Sequence, residues 1–121
     1  MANYGVIDLG SNSVRLVIFD VKDGINKKKP ITCKDFRSII NDKVMAGLSA
    51  YVEAGEFTQE GIVRAVDVLS GHLKRARYFN CVRTDIFATA VLRKCTNSRK
   101  AIGAIEKAIG APVNLLSARD E

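Results

Sequence analysis

The chain has 121 residues, of which 47% are hydrophobic and 26% are charged, and its formal net charge is +6. These values are typical of one globular domain, and since no apolar run approaches the roughly 18 residues of a membrane-spanning helix, the sequence predicts no membrane span. The basic charge favours a polyanionic partner such as phosphate, a nucleotide or nucleic acid, although a basic solvated surface gives the same balance.

Three strands are predicted in the first third of the chain. Tyr4–Leu9 is short, apolar and followed by a glycine, and Val14–Val21 is a second apolar run of strand length. Lys22–Gly24 has the composition of a turn. Pro30–Ile39 is predicted as a third strand at a sheet edge, because proline and the preceding lysines protect such an edge from pairing with other chains.

A long helix is predicted after a loop-like segment, Asn41–Phe57. Thr58 is the predicted N-cap and Glu60 suits the first turn, and the helix is expected to end near Tyr78. Apolar residues recur at helical spacing at Ile62, Ala65, Val66, Leu69, Leu73 and Ala76. The single histidine, His72, lies within this pattern and is assigned no chemistry.

The last third of the chain alternates strand and helix. Cys81–Ala88 is strand-like, Thr89–Cys95 has room for one or two helical turns, and a helix over Asn97–Ile109 is capped by Asn97 and stopped by Gly110. The segment VNLLS, which begins at Val113, is the final strand. The order β-β-β-α-β-α-β predicts a mixed sheet with an antiparallel and a parallel part, covered by helices on one or both faces.

The three cysteines, Cys33, Cys81 and Cys95, match no zinc-binding spacing, and no signal peptide precedes them. This pattern favours reduced structural thiols in a cytoplasmic protein.

The connection between the first two strands is more polar than a hairpin requires. It consists of Gly10, Ser11, Asn12 and Ser13. Backbone N–H groups in such a tight curve form an anion-binding concavity, glycine permits close approach, and the serine hydroxyls add donors. Arg15 follows as a further cation, and Asp8 is a candidate ligand for a magnesium-bound water. The alternative is an ordinary polar turn in which Asp8 and Asn12 form local hydrogen bonds.

Three segments together resemble one protein family. They are GVIDLGSNSVRLVIF from Gly5, IFATAVLRKCTNS from Ile86, and VNLLSARDE from Val113. In order and spacing they resemble the amino-terminal domain of the exopolyphosphatase / guanosine pentaphosphate phosphohydrolase family. The resemblance implies an α/β, ribonuclease-H-like lobe of the actin, heat-shock chaperone and sugar kinase superfamily, with a mixed five-stranded sheet.

The resemblance also implies roles for individual residues. Asp8 and the turn Gly10–Ser13 match the family's first phosphate loop, and Arg15 matches the basic position after it. Arg93 matches an arginine that faces the phosphates, and Glu121 matches the catalytic glutamate that activates water. Two departures from the family pattern lie beside Glu121, because Ala118 replaces a glycine and Asp120 replaces a glutamate.

By this resemblance, the function is release of terminal orthophosphate from inorganic polyphosphate or guanosine pentaphosphate, with Mg²⁺ as cofactor. The sequence does not separate the two substrates. The family's second glycine-rich phosphate loop does not occur in these 121 residues. The chain is therefore expected to be one lobe of a two-lobed enzyme, inactive without its carboxy-terminal lobe, and able to self-associate. The alternatives are an actin-like phosphate- or nucleotide-binding module without catalysis, and a lobe of a small-molecule kinase.

Overall fold

The computed structural model of the protein describes residues 2–21 and 36–116. The elements in chain order are β1 (Ala2–Leu9), β2 (Val14–Val21), β3 (Phe36–Val44), a 3-10 turn (Leu48–Tyr51), β4 (Val52–Glu53), β5 (Glu56–Phe57), α1 (Gln59–Tyr78), β6 (Cys81–Ala88), α2 (Ala90–Arg93), α3 (Ser98–Ile109) and β7 (Asn114–Leu115). None of the helices in this part of the chain is long and apolar enough to cross a membrane.

The main sheet has five strands in the order β3-β2-β1-β6-β7. The pairs β1–β2 and β2–β3 are antiparallel, whereas β1–β6 and β6–β7 are parallel. The central strand β1 thus joins an antiparallel half to a parallel half. Leu9, at the end of β1, pairs with Val14 of β2 and with Ala88 of β6. The mixed sheet predicted from the order of elements is confirmed, and so is the turn at residues 10–13 between two paired strands.

One face of the sheet carries the hydrophobic core. Along β1, Ile7 and Leu9 are fully buried while Asp8 is exposed, which is the alternation expected when only one face is covered. The described helices pack on this single face, because their buried side chains join the same cluster. The cluster includes Leu16, Ile18, Ala65, Leu69, Ile86, Leu92, Ala101 and Ile105.

Helix α1 begins and ends where its sequence predicts. The Oγ1 of Thr58 accepts a hydrogen bond from the Gly61 N–H at 3.2 Å, which satisfies one of the free donors of the first turn. Glu60 lies in the first turn and Arg75 and Arg77 in the last, so the charges complement the helix dipole. The predicted N-cap and the predicted end at Tyr78 are confirmed.

The end predicted for the third strand, at Ile39, is wrong. The strand runs over Phe36–Val44, and the part of the predicted strand before residue 36 lies outside the described residues, as does the predicted turn at Lys22–Gly24. The polar residues Asn41, Asp42 and Lys43 favoured a loop. Asn41 and Lys43 continue the strand because they lie on the face of β3 that is open to solvent. Asp42 lies on the opposite face with Ile40 and Val44, where it pairs with Arg75 of α1.

The segment Asn41–Phe57 is not the loop that was predicted. After β3 it forms the 3-10 turn and then the two-residue hairpin β4–β5. Ala54 and Gly55 connect these strands with φ angles of 52° and 79°, the pattern of a type I′ turn. Strands of two residues are too short to give a periodic sequence signal, which is why the hairpin was missed.

Asn97 occupies the N-cap position of α3, but the prediction that its side chain caps the helix is wrong. Its Oδ1 accepts from the Phe57 N–H at 2.9 Å, and its Nδ2 donates to the Phe57 carbonyl at 3.0 Å. The amide thus ties the start of α3 to β5 instead of to its own helix. At the other end, Gly110 ends the helix with a φ of 71°, so the predicted glycine stop is confirmed.

Candidate phosphate-binding site

The turn between β1 and β2 is closed by its own backbone. The Gly10 N–H donates to the Ser13 carbonyl at 3.0 Å. A Cβ on residue 10 would lie only 3.1 Å from that same carbonyl oxygen, so the tight closure favours glycine at this position.

A second segment, residues 47–51, holds the carbonyl side of the turn. The Ser49 N–H donates to the Ser11 carbonyl at 2.8 Å, and the Gly47 N–H donates to the Asn12 carbonyl at 2.9 Å. The Ser49 hydroxyl also donates to Asn12 Oδ1 at 3.3 Å. These contacts hold the peptide planes of the turn in place, and they therefore also fix the directions of its N–H groups.

The amide groups of the turn are available to a ligand. Among the hydrogen bonds that join residues 2–21 and 36–116, none uses the N–H of Ser11, Asn12 or Ser13. Three successive donors that find no acceptor among the described residues, held by contacts to their carbonyls, form the kind of concavity that binds an anion. The geometry therefore favours an anion site over an ordinary polar turn.

The carboxyl end of β6 meets the turn directly. The Thr89 N–H donates to the Leu9 carbonyl at 3.1 Å, and the Thr89 Oγ1 lies 3.4 Å from the same oxygen. On the far side of β6, the Leu116 N–H donates to the Ala88 carbonyl at 3.0 Å. The three segments that carry the family resemblance thus end their strands at one edge of the sheet, which is where open α/β sheets bind ligands.

Asp8 and Arg15 lie next to this edge on the face turned away from the helices. They are register partners in β1 and β2, and both are exposed. Among the ion pairs formed by the described residues, none involves either side chain. Asp8 also lines a hollow of about 490 Å³ together with Val6, Phe87, Thr89 and Leu116. The carboxylate and the guanidinium are therefore open to a ligand beside the turn.

Arg93 is placed near the same edge by its backbone. It is the last residue of α2, it is partly buried, and its N–H donates to the Thr89 carbonyl at 3.1 Å. Convergence of its guanidinium on the turn stays a prediction. Glu121, with Ala118 and Asp120, lies outside the described residues, so its catalytic assignment also stays a prediction.

Asp8 could supply one carboxylate ligand to the predicted magnesium ion. Within the described ranges no group of three or more histidine, cysteine, aspartate or glutamate side chains is arranged to hold a metal. Magnesium that serves phosphate chemistry is usually held by one or two carboxylates together with waters and the substrate phosphates. A single exposed carboxylate beside an anion site is compatible with that arrangement, and the magnesium site stays a prediction.

Three residues that support the site were not predicted from the sequence. Thr89 was placed only in a short helical segment, and Gly47 and Ser49 fell in a predicted loop. An isolated glycine is a weak signal for a left-handed backbone position, and Gly47 has a φ of 63°. The pairing of this segment with residues 11 and 12 depends on the fold of β3 and carries no local sequence signal.

Comparison with known proteins identifies the family. The sequence model of the Ppx/GppA phosphatase family matches residues 17–121, and the chain therefore belongs to that family. Exopolyphosphatase 1 of Mycobacterium tuberculosis is 25% identical over 117 residues, which cover 97% of this chain and 32% of that protein. The chain thus spans about a third of the length of the curated relatives it matches.

Solved structures confirm the fold class. The Ppx/GppA family member of Aquifex aeolicus superposes with a TM-score of 0.80 at 24% identity, covering 97% of this chain and 35% of that chain. An exopolyphosphatase from Cytophaga hutchinsonii superposes with a TM-score of 0.78 at 24% identity, covering 94% and 34%. The predicted family and the predicted α/β lobe with a mixed five-stranded sheet are both confirmed.

Proposed function

We propose that this chain is the phosphate-binding lobe of a hydrolase that releases terminal orthophosphate from inorganic polyphosphate or guanosine pentaphosphate. The observation that carries the proposal is the meeting of β1, β6 and β7 at one sheet edge, around a turn with three amide donors that no described residue accepts from. Membership of the Ppx/GppA phosphatase family supports the reaction class. The name of the mycobacterial relative, an exopolyphosphatase, supports polyphosphate as one substrate.

The proposed chemistry follows from the charges of the reaction. A water oxygen attacks the terminal phosphorus, and the bond from that phosphorus to the bridging oxygen breaks. The turn amides, Arg15 and Arg93 bind the phosphate oxygens and stabilise their negative charge. Glu121 accepts the proton of the attacking water as general base. Magnesium near Asp8 would neutralise further phosphate charge when bound.

The proposal includes a second lobe. Phosphoryl transfer depends on positioning the phosphate and on charge stabilisation, which one phosphate loop supplies from one side only. The family's second loop is expected in the additional length that the relatives have. We propose that this lobe closes the cleft and sets the preference between polyphosphate and the nucleotide.

The anion site is tested by titrating the purified protein with tripolyphosphate and following backbone amide signals by NMR. Shifts are expected at residues 10–15 and at Thr89, with weaker binding in Arg15→Gln. Lys74→Gln is the matched control, because Lys74 is an exposed cation on α1 and makes none of the hydrogen bonds that the described residues form with the turn. Shifts confined to other parts of the molecule, or equal loss in both variants, would contradict the site.

The catalytic assignment is tested by Glu121→Gln in the full-length protein. Orthophosphate release from polyphosphate in the presence of magnesium is expected to fall by roughly 10²-fold or more, the usual range for a general base. Tripolyphosphate affinity should change little, because the amide keeps the size of the side chain. Asp120→Asn is the matched control and should retain most turnover. Near-normal turnover in Glu121→Gln would leave a binding module without this base as the better description.

A further inference from the structure

The single histidine is buried behind the turn and is linked to two partly exposed charged side chains. His72 on α1 is fully buried, and its Nε2 lies 2.9 Å from the carbonyl oxygen of Val14, the first residue of β2. Its Nδ1 lies 2.7 Å from Nη2 of Arg75, one turn further along α1. Arg75 Nε in turn lies 2.9 Å from Asp42 Oδ2 on β3, an ion pair whose angles are not those of a hydrogen bond.

The partners of the ring fix its protonation. A carbonyl oxygen only accepts hydrogen bonds, so Nε2 carries the hydrogen that is donated to Val14. A guanidinium only donates, so Nδ1 is the acceptor and carries no hydrogen. His72 is therefore neutral and in the Nε2–H tautomer, and the tautomer is set by Arg75.

The network acts on the backbone that leaves the phosphate turn. Val14 follows Ser13 directly, precedes Arg15, and pairs with Leu9 on one side and Val44 on the other. A hydrogen bond to the Val14 carbonyl therefore restrains the peptide unit from which Arg15 projects. Its donor comes from the helix layer, so it is independent of the contacts that residues 47–51 make with the turn.

We infer that His72 is a positioning residue for the phosphate turn, which it holds by donating from Nε2 to the Val14 carbonyl in a tautomer selected by Arg75. This inference rests on the proposed function for the identity of the ligand. According to this inference, His72 affects anion binding although its side chain contacts neither the phosphate nor a metal. The charged groups that face the ring are Arg75 on its own helix and Asp42 on β3, and β2 presents only the Val14 carbonyl.

The first measurement needs no ligand. Because the chain has one histidine, its ring nitrogens give a single set of ¹⁵N signals. At pH 7 the ring is expected to be neutral with the hydrogen on Nε2. Arg75→Met removes the donor to Nδ1 and should raise the pKa of His72, whereas Arg77→Met, an exposed arginine on the same helix, should not. A hydrogen on Nδ1 in the wild-type protein would overturn the inference.

The second measurement compares two substitutions of His72 by binding of sulfate, whose charge does not change near neutral pH. His72→Leu removes the donor, and losing one net hydrogen bond of about 1 kcal/mol should weaken binding about fivefold. His72→Gln places an amide nitrogen as many bonds from Cα as Nε2 and should bind within about twofold of wild type. Equal sulfate affinity in the leucine variant and the wild type would overturn the inference.

A matched control separates positioning from general stability. Ile105→Val removes one methylene from a fully buried residue on α3, away from the turn, and should lower the urea midpoint of unfolding. Its sulfate affinity should stay at the wild-type value while that of His72→Leu falls. Parallel losses in both variants would show that His72 acts only through stability.

Failure of the proposed function has a different signature. If the wild-type protein binds no sulfate, the anion site itself is wrong. The effect of His72 on the backbone can still be tested without ligand. The amide NMR signals of residues 13–15 should shift in His72→Leu and should lie near their wild-type positions in His72→Gln. Unchanged amide signals in the leucine variant would overturn the inference, whatever the ligand result.

Discussion

At the scale of single residues, two helical glycines show how different surroundings give one residue type opposite effects. A Cβ on Gly61, in the first turn of α1, would lie 2.7 Å from Tyr51 Cβ and 2.8 Å from ring atoms of Phe57. A Cβ on Gly103, within α3, meets no atom within 4 Å. Gly61 is thus a close-packing position beneath the β4–β5 hairpin, whereas Gly103 only adds backbone freedom to its helix.

The two alanine substitutions should change stability in opposite directions. Gly61→Ala forces Tyr51 and Phe57 apart and should lower the free energy of unfolding by about 1–3 kcal/mol, as overpacking does. Gly103→Ala removes the entropic penalty of glycine in a helix and should raise it by roughly 0.5–1 kcal/mol. Urea unfolding followed by circular dichroism measures both. A stabilising effect at Gly61 would show that the contact with Phe57 is looser than the structure indicates.

His72 predicts a specific dependence of stability on pH. Burial lowers its pKa below the ordinary value of 6.5, and the Arg75 charge lowers it further, while the Val14 hydrogen bond and the Asp42 charge act in the opposite direction. Because the unfolded chain binds the proton more readily, the stabilisation is fully present above pH 6.5. It is lost as the pH falls through the folded-state pKa.

Urea unfolding of the wild type and His72→Gln between pH 7.5 and 5 measures this loss. The wild type should lose more unfolding free energy than the variant, and the difference isolates His72 from all carboxylates. Identical pH profiles would show that His72 does not titrate differently in the folded and unfolded states.

At the scale of elements, residues 47–51 support the turn at residues 10–13, and Gly47 is the N-cap of the 3-10 turn in this segment. Gly47 has a φ of 63° and donates to the Asn12 carbonyl. Gly55 in the β4–β5 hairpin has a φ of 79° and makes no contact with residues 10–13 through its N–H or carbonyl, the latter accepting from Thr96. The two glycines thus both require a positive φ, but only Gly47 contacts the turn at residues 10–13.

Gly47→Ala and Gly55→Ala should therefore cost similar stability but differ in anion binding. Each places a Cβ at positive φ, at roughly 1–2 kcal/mol of unfolding free energy. Only Gly47→Ala disturbs the segment that fixes the turn carbonyls, so only this variant should bind tripolyphosphate more weakly. Calorimetric titration of both proteins gives the comparison. Weaker binding in Gly55→Ala to the same extent would mean that the effect is not local to the turn.

The elements that sequence reasoning placed correctly are those with a strong local signal. Helix α1 has a capping threonine and a long apolar stripe, and β6 is a compact run between a turn and a small-residue motif. The misplaced elements depend on tertiary context. β3 continues through Asn41 and Lys43 because it lies at the edge of a sheet with one open face, and Asn97 bonds to β5 because the hairpin comes within reach.

The candidate site divides in the same way. The turn at residues 10–13, with Asp8 and Arg15, was predicted because its residue types contrast with the strands on both sides. Thr89 and Ser49 were missed because each supports the site through a bond to a segment far away in sequence. His72 was predicted to be without chemistry, since a histidine inside an apolar helical stripe is usually a packing residue.

At the scale of the whole molecule, one lobe is expected to bind phosphate without hydrolysing it. The 121-residue chain contains one candidate phosphate-binding turn, whereas the proposed reaction needs the phosphate held from two sides. The chain alone should therefore bind tripolyphosphate but release no orthophosphate from polyphosphate with magnesium. The control is a full-length relative assayed under the same conditions. Release by the chain at a rate close to the control would show that one lobe suffices.

The topology of β1 also sets the order in which the sheet is built. Leu9 pairs with Val14, directly after the turn, and with Ala88, which is far from it in sequence. The β1–β2 hairpin is a local contact, whereas the parallel pairing with β6 must wait for a long loop to close. Hydrogen exchange on ribosome-bound chains that end before and after Ala88 should show protection in β1–β2 at both lengths and in β1–β6 only at the longer one.

During synthesis, β1 therefore has one paired edge and one open edge. About 60 residues separate the end of β2 from the start of β6, and a ribosome adds them in roughly 3–12 s at 5–20 residues per second. An open strand edge is a template for pairing with another chain, and the nearest chain on a polysome is a second copy of the same hairpin. Dense ribosome loading is thus the condition under which two nascent copies would pair through β1, because β6, which covers the open edge of β1, has not yet been synthesised in either copy.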